Sequence, residues 1–126
     1  MLEIYKCNNC GHIVMVTHEG PGQLVCCGRP MEQQHENGVD ASNEKHLPVV
    51  ETGKDGIVVK VGSVPHPMEP EHYIEWVEVI SGSTLHVVGL KPGDAPEVSI
   101  PGSSTDVKVR AYCNQHGLWS NRPHRP

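Results

Sequence analysis

The sequence is poor in aromatic residues, and this limits the core that it can build. Phe is absent, and there are only two Trp and three Tyr among 126 residues. Aromatic side chains bury more apolar surface than any others, so a core with so few of them is thin. We therefore expect a bound metal and a partner subunit to supply part of the stability.

Other absences exclude whole classes of function. The chain has 10 basic and 15 acidic residues, for a net charge of −5, whereas binding to nucleic-acid phosphates needs a basic face. No apolar run approaches the roughly 18 residues of a membrane span. The first residues, Met1–Ile4, have no signal-peptide core. We expect a cytoplasmic protein that binds neither nucleic acid nor membrane.

Turn-forming and metal-ligating residues are abundant instead. Thirteen Gly and eleven Pro indicate many turns and little helix. Five Cys in a chain without an export signal favour metal binding over disulfides, because the cytosol keeps thiols reduced. The nine His also favour metal binding.

Alternation of apolar and polar residues predicts β-strands through most of the chain. Separated by Gly- and Pro-containing turns, the segments with this pattern in the larger part are 49–51, 57–61, 73–79, 84–88, 97–100 and 107–112. Short strands at this spacing predict an antiparallel β-sandwich of immunoglobulin type over residues 37–126. Residues 1–36 are too few to bury a core alone and are predicted to be a separate, metal-held module. Residues 33–38 read as a polar linker.

Four of the five Cys form one group in the predicted module. Cys7 and Cys10 share one turn, and the adjacent pair Cys26 and Cys27 supplies two more thiols. Four thiolates suit a tetrahedral iron or zinc ion; a disulfide or free thiols are the alternative. The pattern C-x2-C followed by C-C resembles desulforedoxin, a small iron protein. That resemblance covers residues 1–36 and implies an iron centre in a small dimeric β module.

The fifth Cys needs a separate explanation. Cys113 lies three residues before His116 at the end of a predicted strand, and His66 lies in a rigid loop between two prolines. Four imidazoles and one thiolate suit a redox-active iron better than zinc. The ligands that we expect are His46, His66, His72, Cys113 and His116. A cupredoxin-like copper site is the alternative, but no Met follows His116, and it would leave two of these His unused.

The five remaining His are not expected to bind a metal. His12 and His18 are expected at the surface of the small module, whereas His35 lies in the linker, His86 on a strand and His124 in the C-terminal tail.

Three segments, 44–49, 66–72 and 113–117, closely resemble desulfoferrodoxin, the two-iron superoxide reductase, in order and residue type. The resemblance spans almost the whole chain. It implies two iron ions per chain, one held by four Cys and one by four His and one Cys. It also implies that the four His are equatorial ligands and that Cys113 is axial.

The same resemblance implies an enzyme that reduces superoxide by one electron to hydrogen peroxide. A homodimer and a reduced electron donor such as rubredoxin are expected. Lys45, beside His46, is expected to attract the superoxide anion despite the negative net charge. Glu44 is expected to occupy the sixth iron position once the iron is oxidised. The alternative function is an electron-transfer metalloprotein, cupredoxin-like or rubredoxin-like, without catalytic activity.

Overall fold

A computed structural model describes residues 2–39, 45–102 and 104–123. These residues form β-strands and no helix, and so no helix among them could span a membrane. The chain divides into two compact units, Met1–His35 and Glu36–Pro126. The predicted fold class, a small four-cysteine module followed by an antiparallel β-sandwich, is confirmed.

The first unit contains a three-stranded sheet and a short hairpin. The sheet has the order β2-β1-β5, and β3 pairs with β4. The strands are β1 (Ile4–Lys6), β2 (Ile13–Met15), β3 (Val25–Cys26), β4 (Arg29–Pro30) and β5 (Glu32–Gln34).

The prediction of a polar linker from residue 33 is wrong for its first residues. Gln33 and Gln34 lie in β5 and pair with Tyr5 and Ile4 of β1. The Gln33 side chain donates a hydrogen bond to Glu3 Oε2 at 2.9 Å. An edge strand of polar residues shows no apolar alternation, so the pattern did not reveal it.

The second unit is the sandwich, built from two antiparallel sheets. One has the order β10-β7-β6 and the other β12-β11-β8-β9. Its strands are β6 (Pro48–Thr52), β7 (Ile57–Val61), β8 (Ile74–Ser81), β9 (Thr84–Gly89), β10 (Glu97–Ile100), β11 (Lys108–Cys113) and β12 (Gly117–Ser120). Of these, β12 was not predicted.

Side-chain alternation along β11 carries the fifth cysteine into the interior. Val109, Ala111 and Cys113 are each fully buried and belong to the apolar core between the sheets. Successive side chains of a strand point to opposite faces, so every second residue shares this orientation. Cys113 is the last of them, and its thiol lies at the end of the core.

A β-bulge lies directly beside this thiol. Tyr112 pairs with Trp76 of β8, whereas Cys113 pairs with Ile74, so Glu75 is an extra residue in β8. The bulge shifts the alternation, and Ile74 and Val77 are consequently both buried. It therefore keeps the first residue of β8 in the core, next to Cys113.

Charged side chains are buried on the same sheet. Arg110 donates to Glu78 Oε1 through Nε at 2.9 Å and through Nη2 at 2.5 Å. It also donates to Glu36 Oε2 at 3.1 Å, and Lys108 donates to Glu36 Oε1 at 2.6 Å. Trp76 Nε1 donates to the second oxygen of Glu78 at 2.7 Å. Each buried charge thus has an opposite charge in contact, the condition under which such burial is tolerated.

Candidate metal centres

The four cysteines of the first unit converge on one point. The sulfur atoms of Cys7, Cys10, Cys26 and Cys27 all lie within 4.8 Å of one another. Cys10 and Cys26 are 3.5 Å apart at sulfur, well beyond the length of a disulfide bond. All four are free thiols, as is Cys113. This spacing suits a single tetrahedral ion.

The turns around these thiols have special backbone geometry. Gly11 donates to the Cys7 carbonyl at 2.9 Å and has φ +87°. Cys27 has φ +54°, which is uncommon for a residue with a side chain. An adjacent Cys pair can direct both sulfurs to one ion only if the backbone bends sharply between them, and this positive φ supplies the bend.

The thiols also differ in acidity. Backbone hydrogen bonds from Cys10 and Asn9 lower the pKa of the Cys7 thiol to about 6. In contrast, hydrogen bonds with the side chains of Cys10 and Cys7 raise the pKa of the Cys26 thiol to about 12. Cys7 and Cys26 therefore do not ionise over the same pH range by themselves, and a bound metal ion would favour the thiolate form of both.

The second group of candidate ligands comes from three separate segments of the sandwich. The ligand atoms of His46, His72, Cys113 and His116 lie within 4.8 Å of one another. His66 completes a closed square of imidazole rings. Neighbouring ring centroids are 4.6 Å apart for His46–His66, 4.9 Å for His66–His72, 5.2 Å for His72–His116 and 5.0 Å for His116–His46. The rings are steeply inclined to one another, so ring nitrogens rather than stacked faces meet in the middle.

A hydrogen bond orients His66 within this group. His66 Nδ1 lies 2.7 Å from the Pro67 carbonyl; only a protonated nitrogen can bond to a carbonyl oxygen, so Nε2 is left to bind a metal. Cys113 Sγ lies 3.9 Å from His116 Nδ1. The thiol and the imidazole thus approach the same point, as their spacing in the sequence predicted.

Asn114 joins the two segments that carry His72 and Cys113. Its Oδ1 accepts from the backbone N–H of Tyr73 at 2.9 Å, and its Nδ2 donates to the Glu71 carbonyl at 3.1 Å. Its own backbone N–H donates to the Tyr73 carbonyl at 3.2 Å. The Asn114 side chain thus bonds to the residues on both sides of His72, and this fixes His72 relative to Cys113.

Trp119 in β12 supports two other residues of the square, His46 and His116. Its indole is stacked on the His46 ring, with centroids 4.5 Å apart and planes inclined by 13°. Its Nε1 donates to the His116 carbonyl at 3.0 Å. Asn37 in turn pairs with β12, donating from its backbone N–H to the Leu118 carbonyl at 2.9 Å. These supporting residues lacked any ligand-like spacing and were not identified from the sequence.

Gly62 permits the close approach of the loops that carry His46 and His66. It has φ +88°, and a Cβ there would lie 2.4 Å from the Val64 carbonyl oxygen and 2.5 Å from that of Lys45. Its N–H donates to the Leu47 carbonyl at 3.1 Å. Only a residue without a side chain fits between these backbones.

Gly62→Ala is therefore expected to destabilise the fold by about 3 kcal/mol, the sum of backbone strain and steric overlap. Iron content should fall from two ions per chain to one, because the first unit retains its thiols. Gly82→Ala is the matched control: it has φ +58° but open space around the new Cβ, so it should cost only about 1–2 kcal/mol. Equal losses in thermal unfolding, with iron retained in both variants, would contradict the role given to Gly62.

The two predicted catalytic residues immediately precede His46. Lys45 is half-buried, and its carbonyl lies against Gly62. Glu44 lies outside the described residues.

One residue assigned to the surface has a closer relation to a metal centre. His12 is exposed, but its Nδ1 lies 3.3 Å from Cys10 Sγ. Its position two residues after Cys10 was the feature of the sequence that could have indicated this contact. His18, His35 and His86 belong to neither group of candidate ligands, and His124 lies outside the described residues.

Comparison with known proteins covers both units. The family model described as desulfoferrodoxin matches residues 38–122, and that of the desulfoferrodoxin N-terminal domain matches residues 1–33. The chain is 56% identical over 120 residues to the desulfoferrodoxin of Syntrophotalea carbinolica, with 95% of each chain covered. It is 35% identical over 102 residues to the superoxide reductase of Pyrococcus abyssi, covering 65% of this chain and 88% of the relative.

A solved structure is similar over nearly the whole chain. The superoxide reductase from Treponema pallidum has a TM-score of 0.78 and 30% identity, with 97% of this chain and 98% of the other covered. The two donor sets fit the predicted pair of centres, and the prediction of two iron ions per chain is confirmed. With both family models matched along most of its length, the chain belongs to the desulfoferrodoxin family.

Proposed function

We propose that this protein is a superoxide reductase whose second centre reduces superoxide to hydrogen peroxide. The closed square of four imidazoles with the Cys113 thiol beside it carries this proposal. Similarity to proteins that are named superoxide reductases supports it.

The proposed ligands are His46, His66, His72, His116 and Cys113. These five protein donors would hold an iron ion and would leave room at it for a small oxidant. When bound, ferrous iron supplies the single electron that superoxide needs, and two protons from water complete hydrogen peroxide. The Cys113 thiolate is an electron-rich ligand that favours this electron donation, as thiolates do in haem enzymes. Its complete burial keeps the sulfur from water.

Substrate attraction depends on the local field rather than on the net charge of −5. Lys45 is next in sequence to His46, and its cation is proposed to draw superoxide toward the open position and to hold water for protonation. Glu44 is proposed to occupy that position after oxidation.

The first centre, with Cys7, Cys10, Cys26 and Cys27 as its proposed ligands, would stabilise its unit and would be able to relay electrons. We further propose a cytoplasmic homodimer that is reduced by a donor such as rubredoxin.

Pulse radiolysis of the iron-loaded, pre-reduced protein tests this function. One hydrogen peroxide should form for each superoxide consumed, with no oxygen released. A dismutase would instead release oxygen and half as much peroxide. Copper in place of iron, or reduced protein that leaves superoxide unconsumed, would exclude the proposed reaction and favour an electron carrier.

Lys45→Ala should lower the second-order rate with superoxide by about tenfold, within the range of electrostatic steering. The dependence of that rate on ionic strength should flatten at the same time, because salt screens the attraction. Lys54→Ala removes the same charge from an exposed turn at the opposite end of β6 from His46 and should change the rate little. Equal rates for Lys45→Ala and the unmodified protein would exclude the proposed role.

A further inference from the structure

His12 contacts the four-thiol cluster although it is not one of its ligands. Its Nδ1 lies 3.3 Å from Cys10 Sγ and 3.8 Å from Cys26 Sγ. Those two sulfurs are 3.5 Å apart, so the ring nitrogen lies beside both. The first distance is that of a hydrogen bond to sulfur, and the second is a longer, weaker contact.

The backbone fixes this position independently of the ring. The Cys7 N–H donates to the His12 carbonyl at 2.8 Å, and the Gly11 N–H donates to the Cys7 carbonyl at 2.9 Å. These bonds close the turn that holds Cys7 and Cys10, and His12 follows directly before β2. Its side chain therefore starts from a constrained backbone beside the metal ligands.

The direction of the hydrogen bond follows from the chemistry of the ligands. A cysteine bound to a metal is a thiolate and has no proton to donate, so Nδ1 must be the donor. Hydrogen bonds to ligand sulfur are among the factors that set the potential of iron–sulfur centres. The donor stabilises negative charge on the sulfur, and the reduced centre has one more negative charge than the oxidised centre. The hydrogen bond consequently favours the reduced form.

We propose that His12 is a positioning residue whose Nδ1–H···Sγ hydrogen bond to Cys10 raises the reduction potential of the four-cysteine iron centre. The residue thereby influences how readily this centre accepts an electron. The proposal concerns the first centre alone and holds whether or not the second centre reduces superoxide.

Redox titration of the full-length, iron-loaded chain tests this, followed through the visible band of the four-cysteine centre. His12→Leu removes the donor and should lower the equilibrium constant for reduction about tenfold, which corresponds to about 59 mV for one electron. His12→Asn should restore part of the loss, because its amide nitrogen can occupy the place of Nδ1. His18→Leu, another exposed histidine of the same unit, should leave the potential unchanged.

An unchanged or raised potential in His12→Leu would overturn the proposal. An equal fall of the potential in His18→Leu would also overturn the proposal, because it would indicate a general effect of histidine loss. A second measurement does not depend on any variant: nitrogen-15 NMR of the zinc-loaded protein, at a pH where the ring is neutral. The His12 ring should carry its hydrogen on Nδ1. A hydrogen on Nε2, leaving a bare Nδ1 toward Cys10, would exclude the hydrogen bond.

Discussion

Cys113→Ser is expected to abolish the thiolate-to-iron charge-transfer band of the second centre and nearly all superoxide reduction. Removing partners that only support metal ligands costs about 10- to 100-fold, so loss of a ligand should cost at least about 100-fold. Serine is close in size but remains protonated and donates far less electron density to iron. Visible spectroscopy of the oxidised protein and pulse radiolysis of the reduced protein measure the two effects.

Ala111→Ser is the matched control for this substitution. Ala111 lies two residues earlier on β11, is fully buried and faces the same core. The variant adds the same hydroxyl without removing a thiol, so it should lose some stability but keep the band. A band that survives in Cys113→Ser would remove Cys113 from the centre. Loss of the band in Ala111→Ser as well would attribute the effect to core disruption.

Arg110→Met is expected to destabilise the sandwich by about 3–5 kcal/mol, the cost of breaking a buried ion pair by removing one partner. Arg110 and Glu78 are 2% and 0% exposed, so the remaining carboxyl group would lose its cationic partner in an environment that water does not reach. Thermal or denaturant unfolding of the metal-loaded protein, followed by near-ultraviolet circular dichroism, measures the loss.

Another ion pair provides the comparison. Arg122 bonds to Asp106 at the surface, with side chains that are 53% and 79% exposed, and Arg122→Met should cost at most about 1 kcal/mol. The double variant Arg110→Met/Glu78→Gln keeps an acceptor for the Trp76 indole but removes the isolated charge, and should recover part of the stability. If Arg110→Met cost no more than Arg122→Met, the buried network would not contribute to stability.

Residue chemistry predicted the composition of both metal centres better than their architecture. Thiols and imidazoles are the side chains that bind soft and borderline metals, so their spacing alone identified Cys7 and Cys10 as partners. The closed square of imidazoles depends on the pairing of distant strands, and no local pattern contains that information. The supports of the square, Asn114 and Trp119, are an amide and an indole, residue types that are common in any loop or core.

The fold was predictable where strands have an apolar face. β7 and β10 agree with their predicted limits because alternating Val and Ile residues pack between the sheets. In contrast, β5 is polar, and three successive residues of β12 (Leu118, Trp119 and Ser120) are all buried, so neither strand shows a period of two. The bulge at Glu75 could not be predicted from the sequence either, because an extra residue within a strand resembles an ordinary polar position.

The separation of the two sets of donors along the polypeptide orders their assembly. The four thiols of the first set lie between residues 7 and 27, whereas the second set extends from residue 46 to residue 116. Protein synthesis proceeds from the N-terminus, and domains fold as they emerge from the ribosome. A nascent or truncated polypeptide that stops before Cys113 thus contains all four thiols of the first set but lacks two donors of the second. Colour from the first centre would therefore not show that the second centre is complete.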